Sequence, residues 1–593
     1  MNTRRHMQKL CIAAALQAVL SVILALLSRR FAFGSVESDR PIPLVLMVLA
    51  AQFAVYVYAI QAAVRCTATR KFAVLIFAAA AFFRLVLLPT SPIQEIDIYR
   101  YIWDGAVTTN GINPYRYAPA TILGVNAEDT GRDELHTLVR LRDESPSLRA
   151  ILARIHYADL STIYPPVSQS VFAAALWLTP QSASVELRVT ILKSVLTMFD
   201  LSTAGLVWVL LGCAGRHPGW TVAYAWCPLI IKEISNGGHL DSISVFLTAL
   251  AALAVVKAGV AVEPRAGVRF SVFGALTLAL AIGAKLYAVV LLPSFAAVVA
   301  ARLGIVRGAA WLGLATSLSI LLVSPMIVTR PVDGMVPHAT HDALKALPPG
   351  AISTADAQGN ESQTVNATAS GLAAFLAGWE MNDWLFMIVV ENLRPEAQSA
   401  EDPRQVWFAV VPNSWRESLV GPLAEAIGVD IQAASFMLAR AVTACAFVLI
   451  ALVLAQRVYM RQDVRQFLEV VFLTLAWFWL LSPTQNPWYW IWAMPFLPFA
   501  RNRAWYAVSG LVMTYYLRFW LLYHYPDAPT VGTTYSGTQF FDFVVSWLEY
   551  GLWFLWLGVC WYQQRKHTSM PINFISWRSV PGFTESQTTS SVE

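Results

Sequence analysis

"FAVLIFAAAAFFRLVLLPTSPIQEIDIYRYIWDG" occupies residues 72–105. Its first part is an apolar run of membrane-spanning length, since about 17 to 25 mostly apolar residues cross a bilayer as a helix. Its second part sets Glu95, Asp97, Arg100 and Asp104 among Tyr99, Tyr101 and Trp103 where the chain leaves that run. The stretch reads as a transmembrane helix delivering an ionic cluster to a membrane edge.

Similar apolar runs recur along nearly the whole chain. Of its 593 residues 57% are hydrophobic and 13% charged, and the mean hydropathy is +0.53; ordinary soluble domains carry roughly 25% charged residues. The expected fold is an all-α polytopic membrane bundle of roughly 12 to 14 transmembrane helices, whose outer loops carry interfacial amphipathic helices. The bundle should occupy residues 1–562, followed by a polar, unstructured cytoplasmic tail at 563–593. "LCIAAALQAVLSVILALLS" from Leu10 has no small-residue cleavage site after it and reads as a retained anchor. The six cysteines show neither a CxxC nor a zinc spacing, so no disulfide framework or structural metal is expected. Nothing in the composition points to nucleic acid.

The net charge of +5 matters less than where the cations lie. "MNTRRHMQK", Arg65 with Arg70 and Lys71, Lys257 with Arg265 and Arg269, Arg302 with Arg307, "QRVYMRQDVR", "RNR" and "QQRK" should face the cytoplasm. This places both termini inside a plasma (inner) membrane. The polar segments 90–165, 329–432 and 524–540 then face outside. Counts of crossings from the two ends disagree by one between residues 160 and 235. "PPVSQSVFAAALWLTP" and "WTVAYAWCPLIIKEIS" are short and proline-bearing there, so one of them should enter and return, marking a cavity. Residues 132–158 have the leucine spacing of one amphipathic interfacial helix.

On a helix, Asp97, Arg100, Tyr101 and Asp104 fall at i, i+3, i+4 and i+7 on one stripe, with Ile98, Ile102 and Trp103 opposite. Such a helix should lie on the outer leaflet, apolar face down, until Gly111 and the Asn-Pro at 113–114 end it. A solvated connector with self-paired charges is the plain reading of this pattern. Four features weigh against it. Glu95 and Asp97 form an acidic-x-acidic pair in which one carboxylate can have a raised pKa and act as a base. Arg84, Lys193, Asp200, Lys232, Glu233, Lys285, Arg440 and Arg518 lie in apolar surroundings, where charges line a functional path or pair; Lys193 and Asp200, seven apart, are expected to pair with each other. "SNGGHLD" presents His239 and Asp241 in a glycine-softened turn. "SPTQNPWYWIWAMP" opens a span, although Trp488, Trp490 and Trp492 taken singly fit an interfacial aromatic belt.

Dinucleotide loops, P-loops, HExxH and GxSxG are absent from the sequence. An enzyme acting outside takes its activated group from what is there, and a lipid phosphate ester qualifies. Its phosphate leaving group needs cations rather than the facing acid pair of a glycosidase. A multi-pass transporter or flippase of lipid-linked glycans is the alternative, as is a noncatalytic scaffold of an envelope assembly; the paired repeats of a transporter are not seen.

"EIDIYRYIWDGAVTTNGINPYRYAP", "YPPVSQSVFAAA", "AWCPLIIKEISNGGHLDSISVFL", "AKLYAVVLLP", "WEMND" and "SPTQNPWYW" together resemble, in order and spacing, the bacterial polyprenol-phosphate-mannose-dependent mannosyltransferases of the GT-C superfamily. The resemblance spans about residues 70 to 560. It implies a GT-C-like helical bundle and an inverting transferase that moves mannose from a polyprenyl-phosphate donor to a lipid or glycan acceptor at the outer face. Through its first motif it implies Asp97 as catalytic base, with Glu95 beside it. In such a reaction Arg100, His239, Lys285 and Arg518 would hold the departing phosphate, and the substrate pocket would draw on Tyr101, Asp104, Asp241, Asn382 and Trp488. No cofactor is required; relatives with an acidic-x-acidic element differ in binding a divalent cation, which leaves a metal at Glu95 and Asp97 open. The outer segments 329–370 and 396–432 are longer than the family suggests and leave the acceptor undefined.

Overall fold

The structure is a computed structural model describing residues 2–126, 130, 133–332, 371–395, 406–461, 463–527 and 529–567. Among these the chain is helical and forms no sheet, with an isolated bridge between Met381 and Thr484. Ten helices among the described residues are long and apolar enough to cross a membrane, so the protein is an all-α, multi-pass membrane protein. The Arg70–Leu87 helix, 18 residues long, carries three cations and stands outside those ten. The expected 12 to 14 crossings are reached only when this helix and the broken segments 218–237 and 505–524 are added. The tail after residue 567 and Asn360 and Asn366, two N-x-S/T matches, lie outside the described residues.

The two proline-bearing segments are both unlike ordinary spans. Pro166–Trp177 is a 12-residue helix, about 18 Å long at 1.5 Å per residue and too short for a bilayer. It packs on Ile98–Thr109, where a Cβ on Gly105 would stand 2.8 Å from the Phe172 carbonyl oxygen. Segment 218–237 is fragmented because Pro228 has no N–H to donate and disfavours helix at Cys227. It passes through Val222–Ala225 and Pro228–Ile230 into a π-helix at Ile231–Gly237, and is buried almost throughout.

Burial of charge ties these pieces together. Arg84 Nε lies 2.5 Å from Asp200 Oδ2, and its remaining N–H groups donate to Asp200 Oδ1 and to the carbonyls of Ala80 and Ala225. Tyr224 donates to Asp200 at 2.9 Å. The expected Lys193–Asp200 pair is therefore absent: two turns separate the residues, and Asp200 meets a guanidinium from the neighbouring helix. Lys193 instead donates to the Thr90 carbonyl at 2.7 Å.

Three other expectations are corrected. The Ile98–Thr109 helix does not lie face-down on a leaflet, since residues 98–107 are buried on all sides. Residues 133–152 form two helices, Asp133–Glu144 and Pro146–Leu152, because Ser145 caps the second and Pro146 starts it. Trp488, Trp490 and Trp492 sit inside the protein rather than in a surface belt; Trp492 Nε1 donates to Asp241 at 2.6 Å and Trp490 Nε1 to Ser509 at 3.3 Å.

The Arg84–Asp200 pair gives a direct stability test. Asp200→Leu alone leaves a buried guanidinium uncompensated and should cost about 3–5 kcal/mol, seen as a lower melting temperature in detergent. The double variant Arg84→Leu/Asp200→Leu should recover most of that loss; no recovery would contradict charge pairing as the cause.

Candidate active site

The loop following Arg70–Leu87 is fastened from below. Asn236 accepts the Ile93 N–H at 2.9 Å and donates to Thr90 Oγ1 and the Ser91 carbonyl, both at 2.8 Å. Asn236 can reach because the next turn is tight: Gly238 has φ +75°, and a Cβ there would stand 2.4 Å from Ile98 Cδ1. Gln94 then adopts a left-handed conformation, φ +70°, which costs a non-glycine residue about 1–3 kcal/mol. Its amide offsets that cost by donating to Tyr523 Oη at 2.5 Å and accepting from Arg40 at 3.3 Å.

This turn points Glu95 and Asp97 into a cavity of about 580 Å³, within the 300–1,000 Å³ range of small-molecule sites. Loops 29–41, 88–97 and 156–164 contribute to its wall, with aromatic residues from 371–381 and 486–489 and the Tyr515–His524 helix. Asp97 stands at the N-cap position of Ile98–Thr109 without a side-chain bond to that helix, and accepts the Tyr164 hydroxyl at 3.2 Å. The helix N-terminus favours its negative charge. Glu95 Oε1 is buried without a hydrogen-bond partner. Burial, and then the charge of Asp97, push the Glu95 pKa up to about 8.

The cavity wall holds Glu95, Asp97, Arg100, Lys285, Trp488 and Arg518 of the residues singled out in the sequence. Arg100 is oriented by Asp104 at 2.9 Å and by the Leu160 carbonyl. Lys285, at the break after Pro264–Ala284, lies 3.4 Å from Asp241 Oδ1 and over the Tyr489 ring at 4.9 Å. Arg518 forms two 3.0 Å bonds to Asp542.

The others stand behind the wall. Asp104 and Asp241 carry Arg100 and Lys285. Tyr101 stacks on Phe172 at 4.8 Å. His239 stacks on the far side of Trp488 at 4.2 Å, with Nε2 3.3 Å from Glu233 Oε2. Asn382 donates to the Gln485 carbonyl and to Tyr550 Oη. Among the described residues no group of three or more His, Cys, Asp or Glu is arranged to hold a metal ion.

Sequence reasoning passed over Arg40, Gln94, Tyr164 and Asn236. Tyr164 and Asn236 lie in the blocks that carry the family resemblance, which was the available signal. Arg40 and Gln94 belong to no pattern.

A raised Glu95 pKa has a defined consequence for stability. The folded state keeps this proton up to about pH 8, whereas an unfolded glutamate releases it near pH 4.3. The unfolded state therefore binds fewer protons in this window, and stability must fall as pH rises through it. Glu95→Gln, which cannot ionise, should flatten the decline of melting temperature between about pH 4.5 and 8; an unchanged slope would contradict the buried, protonated acid.

Residues 8–302 match the family model described as alpha-(1->6)-mannopyranosyltransferase, N-terminal domain. The matched stretch runs from the first helix past Lys285 and includes the acidic loop, Tyr164 and the "SNGGHLD" turn. No match was found among curated proteins or solved structures. Over its N-terminal half the chain is thus similar to this GT-C-like mannosyltransferase family, and the protein is a membrane-embedded glycosyltransferase.

Proposed function

We propose that the cavity transfers mannose from a polyprenyl-phosphate donor to a hydroxyl of a lipid or glycan acceptor on the outer face of the membrane, with inversion, forming the α-(1→6) linkage of the family's description. One observation carries the reading: two adjacent carboxylates share a partly enclosed, aromatic-lined cavity with four Lys or Arg side chains. That combination suits a reaction that takes a proton from an alcohol and releases a phosphate. The outer-face assignment is supported by charge placement, since loops 29–41 and 88–97 are separated by single helices from the basic clusters at 4–9 and 65–71.

In this mechanism an oxygen lone pair of the acceptor attacks the anomeric carbon, and the acceptor proton passes to Asp97. The anomeric carbon–phosphate oxygen bond breaks, and its electron pair leaves with the polyprenyl phosphate. Glu95, holding its own proton near neutrality, donates a hydrogen bond rather than accepting one, so the base role falls to Asp97. Tyr164 fixes the Asp97 carboxylate. Lys285, Arg100 and Arg518, each oriented in advance by a carboxylate, face the charge that develops on the departing phosphate. Groups held this way stabilise the transition state without reorganising, and the cavity holds both substrates in line.

Purified protein in liposomes should transfer mannose from synthetic polyprenyl-phosphate mannose to a lipid extract of the host. Asp97→Asn should lower kcat about 10²- to 10⁴-fold with an unchanged melting temperature. Equal transfer by the variant would remove Asp97 as base. Absence of transfer by the folded wild type would refute the donor.

A further inference from the structure

The four cations on the cavity wall are not equivalent. Arg100, Lys285 and Arg518 each have a carboxylate of their own behind the wall, Asp104, Asp241 and Asp542, at 2.9, 3.4 and 3.0 Å. Arg40 has the loosest carboxylate contact of the four among the described residues. It lies in the loop between the first two helices, in no motif of the sequence, with its side chain only 12% exposed. Its nearest carboxylate, Glu37, is 3.6 Å away, beyond hydrogen-bond distance, and 40% exposed. The Gln94 amide it donates to is neutral. The face of Tyr523 lies 5.9 Å away, and Arg40 Nε is buried without a hydrogen-bond partner. A guanidinium has five N–H donors in a planar fork that matches phosphate, and an unsatisfied buried donor is costly unless a ligand completes it.

The surroundings of Arg40 indicate what kind of anion it receives. Phe31 and Phe33 precede it in its own loop, and Phe519 and Leu522 face the same cavity from the Tyr515–His524 helix. An anion held here has an apolar neighbourhood for a hydrocarbon chain. Gln94 fastens Arg40 to the residue next to Glu95, so a group bound at Arg40 is in register with the acidic pair.

We propose that Arg40 is the principal contact for the phosphate of an isoprenoid-like lipid phosphate in this cavity, with Arg100, Lys285 and Arg518, already paired with carboxylates, as secondary contacts. This rests on the transfer reading above and refines it, moving the phosphate anchor to a residue outside the family's motifs. The phosphate can belong to the donor or to an anionic acceptor lipid. Both present the same chemistry.

The test begins with binding, which does not depend on transfer. Full-length protein in detergent is titrated calorimetrically with farnesyl phosphate and with farnesol. Wild type should bind the phosphate more tightly than the alcohol. Arg40→Gln should weaken farnesyl phosphate binding about 10- to 100-fold, the worth of a lost charged hydrogen-bond pair, and leave farnesol unchanged, with Arg40→Lys between. Gln94→Glu sets a carboxylate against the same guanidinium and should reproduce the loss, which keeps the test decisive should Arg40→Gln fail to fold. Failure of the wild type to prefer the phosphate, or unchanged affinity in both Arg40→Gln and Gln94→Glu, would overturn the proposal. In steady-state transfer, a rise in KM for polyprenyl-phosphate mannose alone identifies the donor as the source of the phosphate, and a rise for the acceptor alone identifies the acceptor. Arg40-dependent phosphate binding without any mannose transfer would leave this assignment standing and remove the transfer reading.

Discussion

A charge between membrane helices has no water to solvate it, so it must be paired or hydrogen-bonded where it lies. That constraint arranges the interior of this protein. Arg84 and Asp200 join the third helix to Val185–Cys213. Lys232, Glu233, Tyr516 and His239 form a second buried cluster, in which Glu233 accepts from Tyr516 and meets Lys232 and His239. Nearer the cavity the same rule pairs Arg100 with Asp104, Lys285 with Asp241 and Arg518 with Asp542. Each pairing fixes the direction of a cation as well as cancelling its charge, and a cation that is already oriented loses nothing to reorganisation when an anion forms beside it.

Irregular backbone supplies the support for the acidic loop. A regular helix through residues 218–237 would advance its side chains by about 100° per residue in one unbroken course. Fragmentation at Pro228 and the π-helix at Ile231–Gly237 instead present Asn236 to three partners in the loop at 90–93. The strained backbone at Gln94 is the second part of that support, and its amide reaches to both Tyr523 and Arg40. The position of Glu95 and Asp97 thus depends on residues far away in sequence.

The architecture was legible because apolar runs of bilayer length leave few alternatives, and the positions of Glu95 and Asp97 were legible because the pair interrupts such a run. The Arg100–Asp104 bond follows from i, i+4 spacing, and the end of that helix from Gly111, whose φ is +74°. Relations between distant segments were not legible. Arg84 and Asp200 are 116 positions apart and Arg40 and Gln94 are 54 apart, and no periodicity links them. The burial of Trp488, Trp490 and Trp492 was misread because an aromatic cluster beside a span looks the same whether it faces lipid or protein. The break at Pro146 was readable from Ser-Pro, yet the leucine spacing on either side concealed it.

The proposed reaction is a single displacement at the anomeric carbon, with Asp97 receiving the acceptor's proton. Its most direct test is the anomeric configuration of the transferred mannose, compared by NMR between donor and purified product. Inversion is expected in every turnover. Retention would call for a double displacement or a front-face substitution, and would contradict in-line attack on the anomeric carbon with Asp97 as the base.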